Sequence, residues 1–126
     1  YIKASNAQTG DEFGVSLSIS DDGDKLVVGA KLEDSLSSGI NGDDDSGASA
    51  SGAAYVFIRE FGAWSQLSFV KASNPRSSDQ LGACSAMSSD GDALAVCAFG
   101  QKGSEVGVNS ELSTEFINGT GAVYLY

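Results

Sequence analysis

The sequence contains no histidine, which removes the commonest general base and the usual zinc ligand. Basic residues are scarce: 7 Lys and Arg stand against 17 Asp and Glu, for a net charge of −10. That balance argues against binding to nucleic acid or an anionic membrane, which needs a basic face. No apolar run approaches the ~20 residues of a membrane-spanning helix. The first residues carry no signal-peptide pattern, which a mature fragment would have lost. Also missing are a glycine-rich phosphate cradle, a serine-nucleophile motif and a carboxylate dyad with an evident role, and the residues argue against an enzyme. The surplus of acid reads as solubility or as an affinity for divalent cations.

What is present is glycine, 16 residues of it against a single proline, with much serine and 41% hydrophobic residues. That mixture suits one all-β domain, or part of one, made of short strands and tight turns. The stretch Asp11 to Ala30 reads as a hairpin. Phe13, Val15, Leu17 and Ile19 alternate with Gly14, Ser16 and Ser18, the period of a strand. Asp22-Gly23 suits a two-residue type I′ turn, in which both residues need positive φ. That turn pairs Ile19 with Leu26, Leu17 with Val28 and Val15 with Ala30, all on one face.

The hairpin recurs at Asp79 to Ala98. At one constant offset Gly14 falls on Gly82, Asp22-Gly23-Asp24 on Asp90-Gly91-Asp92, Val28 on Val96 and Ala30 on Ala98. Lys3-Ala4-Ser5-Asn6 falls on Lys71-Ala72-Ser73-Asn74, and Gly39-Ile40-Asn41 on Gly107-Val108-Asn109. After one inserted residue, Gly52 to Phe57 falls on Gly121 to Tyr126. The chain is an internal repeat, and its fold follows from that. Strands are expected at Gly52–Glu60 and Trp64–Ala72, with long loops at Lys31–Ser51 and Phe99–Thr120 and a last strand at Ala122–Tyr126. The first copy then has four strands and the second three.

Phe13-Gly14 followed by Val28-Gly29-Ala30 resembles the FG-GAP repeat, the blade of integrin-α-type β-propellers. Ala54-Tyr55-Val56-Phe57, Trp64-Ser65-Gln66 and Lys71-Ala72-Ser73 are similar to its bacterial and lower-eukaryotic forms. The second copy drifts, with Leu81-Gly82 for Phe-Gly and Cys97-Ala98 for Gly-Ala. The resemblance implies an all-β fold of two four-stranded FG-GAP-like propeller blades, part of a larger propeller or an oligomeric repeat assembly. Residues 1–126 form a single unit, with 1–5 completing a neighbouring blade, 6–72 the first blade and 73–126 the second. It also implies an extracellular or cell-surface setting.

Several residues are candidates for chemistry. No cofactor is demanded by the sequence; calcium is the one candidate, at Asp43 and Asp45 in the first long loop. The integrin-type calcium loop spaces its acids differently, and the competing reading is that turn acids cap the backbone. Applied to Asp90-Gly91, the hairpin register sets Cys84 opposite Cys97, within disulfide reach; the alternative is a reduced pair of small apolar residues. Asn118-Gly119-Thr120 is an N-glycosylation sequon, and the serines of Ser35–Ser51 are open to O-glycans on composition alone. Trp64 reads as a packing residue rather than a ligand-stacking one.

Two blades cannot close a propeller ring. The second copy lacks its outer strand, while Tyr1-Ile2-Lys3-Ala4-Ser5 is such a strand without a blade. The expected contact lays Tyr1–Ser5 of one chain beside the last strand of the next, with Tyr124 and Tyr126, in a ring or a filament. Adjoining blades of a longer chain would supply the same contact. The leading function is thus a non-catalytic, self-assembling structural module, and its rival is a calcium-assisted adhesion or ligand-binding propeller fragment.

Overall fold

A computed structural model describes residues 1–104, 106–108 and 119–126. Seven strands follow the chain: β1 (Phe13–Ile19), β2 (Lys25–Ala30), β3 (Ala53–Glu60), β4 (Ala63–Val70), β5 (Leu81–Met87), β6 (Leu94–Ala98) and β7 (Ala122–Leu125). The first four form one antiparallel sheet in chain order and the last three a second.

Each hairpin turn is set by its own side chains. Ser20 Oγ donates to Asp22 Oδ1 at 2.6 Å, the Asp24 amide donates to the same oxygen at 2.9 Å, and the Gly23 amide closes on the Ser20 carbonyl at 2.9 Å. Ser88, Asp90, Gly91 and Asp92 repeat all three bonds. The serine hydroxyl first, and then the amide, hold the Asp22 and Asp90 carboxyls below the ordinary carboxylate range. Only Gly23 takes a positive φ, of 72°, so the expected type I′ turn gives way to a four-residue loop between Ser20 and Lys25. The register beyond it survives, with Ile19 opposite Leu26 and Leu17 opposite Val28.

The expected pairing of Val15 with Ala30 does not form. Glu12 and Gly14 take φ of 54° and 99°, a bulge enters the strand, and Phe13 faces Ala30 instead. Gln80 and Gly82, at 58° and 87°, build the same bulge in the second copy. Left-handed φ at two positions bends the start of the strand and re-aims the side chains beyond it.

The sheets stack face to face. Val27, Ala54, Val70 and Ala72 from the first meet Leu81, Leu94, Val96 and Ala98 from the second in one core. Backbone bonds stitch the same joint, from Leu81 N to Ser51 O at 2.9 Å, Gln80 N to Ala50 O at 3.0 Å and Asp21 N to Ser89 O at 2.9 Å. The other face of the first sheet carries Val28, Tyr55, Phe57 and Phe69 in a second core.

The first long loop does two things. Its Gly39–Asn41 segment clasps the free edge of β4: Lys71 N reaches Gly39 O at 2.7 Å, Asn41 N reaches Phe69 O at 2.7 Å, and Phe69 N reaches Asn41 Oδ1 at 2.8 Å. Its start supplies Glu33, whose Oε2 accepts from Lys71 Nζ at 2.5 Å with both side chains buried. Ser51 Oγ accepts from the same ammonium at 2.7 Å and donates to Ser35 O at 2.8 Å. Burial pushes the Lys71 ammonium below its ordinary range, and the Glu33 carboxylate opposes that shift.

Candidate interaction faces

The joint between the two sheets shows how this repeat meets a neighbour, and the internal offset maps each of its residues onto the two outer faces. On the joint side of the first sheet stand Ser16, Ser18, Val27 and Ala54. Ser16 Oγ donates to Gly82 O at 2.8 Å and lies 3.0 Å from Ser85 Oγ, while Ser18 Oγ accepts from Met87 N at 3.2 Å. The end of β4 overlaps the second sheet: Val70 and Ala72 sit in the shared core, Tyr126 donates to Lys71 O at 2.7 Å, and Tyr124 to Asn74 Oδ1 at 2.7 Å. Burial raises both phenols, with Tyr126 pushed up to about 12.

The outer face of the first sheet repeats that overlap with the chain's own start. Ile2, the counterpart of Val70, and Ala4, the counterpart of Ala72, pack against Tyr55, Phe57 and Phe69. Ser5 and Gln66 exchange two bonds, Ser5 N to Gln66 Oε1 at 2.9 Å and Gln66 Nε2 to Ser5 Oγ at 3.0 Å. Burial lifts the Tyr55 hydroxyl well above its ordinary range. The Tyr124–Asn74 bond is not repeated here, since the Tyr55 hydroxyl and Asn6 Oδ1 are both buried without a hydrogen-bond partner among the described residues. Residues 1–5 form no strand within this chain, because they have no sheet edge to pair with. Beyond the strip they cover, Val15, Leu17 and Ile19 of β1 are exposed, Leu17 at 65%.

Among the described residues no strand or segment is packed on the outer face of the second sheet as residues 1–5 are on the first. Cys84 faces Cys97 as the register predicts, and the two form a disulfide with Cα atoms 5.2 Å apart. Val123 and Leu125 of β7 are exposed beside it, and the far edge of β7 has no partner strand among the described residues.

The other expected sites are scattered. Asp43 and Asp45 are exposed in the first loop, where the Asp45 carbonyl accepts from Leu36 N at 2.9 Å. Among the described residues no three of Cys, Asp and Glu gather as a metal site requires. Asn118 lies outside the described residues. Trp64 packs against the outer core of the first sheet, with the Arg59 guanidinium 5.7 Å from its ring.

Sequence reasoning missed the Lys71–Glu33–Ser51 cluster, since nothing in a lone Lys and a lone Glu announces burial. Gly29 enters the sequence reading only within Val28-Gly29-Ala30; a glycine inside a strand marks a close backbone approach, but the carbonyl that approaches it belongs to Gly82, far along the chain.

A family model for the FG-GAP repeat matches residues 1–57. Those residues are an FG-GAP repeat. The match runs from the chain's start through β1, β2 and part of β3, so it takes in residues 1–5 with the sheet on which they lie. Neither the curated proteins nor the solved structures yielded a match to the chain. The second sheet, outside the matched FG-GAP segment, repeats its hairpin bond for bond.

Proposed function

We propose that this chain is a non-catalytic structural module of β-propeller type that joins further sheets of the same repeat, and that it works outside the cell or at its surface. One observation carries the reading: residues 1–6 lie on the first sheet as residues 69–74 lie on the second. Tyr1–Ser5 thus stands as the end of a fourth strand whose sheet would cover Leu17 and Ile19. A stripe of exposed aliphatic side chains on one face of a strand marks an interaction surface. The disulfide supports the oxidising setting, where such bonds persist.

The test is a tandem chain in which residues 6–68 are placed ahead of Tyr1, so that the repeat continues through Tyr1–Ser5 without a gap. The added sheet is expected to raise the melting temperature and to slow thiol labelling of a Leu17→Cys probe by at least tenfold. Unchanged labelling and an unchanged melting temperature would refute the reading.

A further inference from the structure

At one point in the joint the two main chains nearly touch. A Cβ on Gly29 would lie 2.9 Å from the carbonyl carbon of Gly82, nearer still to its oxygen, and against the Ser16 hydroxyl. Real side chains do not tolerate such contacts, so the position admits glycine alone. Ser16 Oγ also donates to that same carbonyl. Ser16 and Gly29 are therefore a socket, and the bulged Gly82 is the group that enters it. Gly82 is itself confined, since a Cβ there would run into the Ala53 carbonyl oxygen.

The offset carries this arrangement to both outer faces. Gly14, the counterpart of Gly82, has φ of 99° and nothing within 4 Å of where its Cβ would stand. The entering group of the first sheet is thus free. On the second sheet the socket positions are Cys84 and Cys97, in place of Ser16 and Gly29. The surrounding small residues are kept: Ala30, Gly52 and Ala53 correspond to Ala98, Gly121 and Ala122. Elsewhere on this face Ser18, Val27 and Ala54 give way to Ala86, Ala95 and Val123, but at the socket itself the change adds a Cβ at position 97 and a disulfide while deleting the hydroxyl donor.

Resting on the reading that sheets join as the internal pair does, we infer that Cys84–Cys97 closes the outer face of the second sheet to any further sheet of this repeat. The module then takes a neighbour on its first sheet only. That neighbour carries an open Ser/Gly socket, whereas in a second copy of this chain the Ser16/Gly29 socket is already filled by its own Gly82. Head-to-tail stacking of copies in the internal geometry is blocked, and the partner is a different repeat sheet, one that presents an open Ser/Gly socket to Gly14.

The experiment is sedimentation velocity of the full chain and two variants over a wide concentration range. The wild-type chain is expected to stay monomeric. C84S/C97G restores the socket and is expected to associate head to tail, an association lost on adding Leu17→Asp. C84S/C97A removes the disulfide but keeps a Cβ, and is expected to stay monomeric. Association of the wild-type chain that Leu17→Asp abolishes would overturn the inference, as would association of C84S/C97A equal to that of C84S/C97G. If C84S/C97G stays monomeric while the tandem chain gains stability, the socket claim falls and the joining of sheets stands; if neither responds, both fall. Gly29→Ala in the wild-type chain guards against a misfolded variant. It is expected to lower the melting temperature by several degrees, and an unchanged value would show that the socket has room.

Discussion

Phe61 and Gly62 turn β3 into β4 with φ of 51° and 82°. A two-residue hairpin turn needs positive φ at both positions, and an aromatic residue with a Cβ resists it. The Phe61 ring gains nothing in exchange, being fully exposed. Phe61→Asn is therefore expected to stabilise the protein by about 1 kcal/mol, measured by denaturant unfolding; a loss of stability would mean the ring has a partner. Turn chemistry of this kind is legible in sequence, because Asp, Ser and Gly act within a few residues of themselves. Asp22 and Asp90 read as turn acids and do cap their own turns. Gly29 stands in sequence as part of a motif, yet its reason is a carbonyl on the other sheet, and distance along the chain hides it.

The strands are where periodicity reads best. All seven are expected from the sequence, and the bonded pairs near each turn come from counting outward from Asp-Gly. Counting fails at the bulges, because Glu12 and Gln80 are not residues that advertise left-handed φ. The buried cluster at Lys71 is equally invisible, since it ties the start of a loop to the end of β4 across 38 positions. Its energetics are those of desolvation. Each charge is out of water and tolerable only with its partner. Lys71→Met alone is expected to cost about 3–5 kcal/mol, and Lys71→Met with Glu33→Leu less than either single change. Chemical denaturation of the three variants measures the coupling, and additive losses would show that the pair does not act as a unit.

For the whole molecule, the sequence shows two copies but not which faces they bury. Leu17 and Ile19 look like core residues by pattern and stand in the open, because a sheet that packs on both sides is apolar on both. Residues 1–5 cover part of that face. Deleting them is expected to cost on the order of 1–3 kcal/mol, the worth of about one buried aliphatic side chain, and to raise the binding of an apolar dye; an unchanged melting curve would show that they merely rest there. The clasp of Gly39–Asn41 on β4 has a further consequence, one that reads out in time. Amides held on both sides exchange with solvent only when the element opens, whereas an edge exchanges by fraying. The amides of Lys71, Phe69 and Asn41 are engaged by the clasp, so they should exchange at the rate of the sheet's own opening. On β7, Tyr126 and Leu94 bond each other both ways, so by alternation the amides of Val123 and Leu125 point to the open side. Deuterium should enter there first, and the second sheet should fray from β7 inward while β4 is still closed.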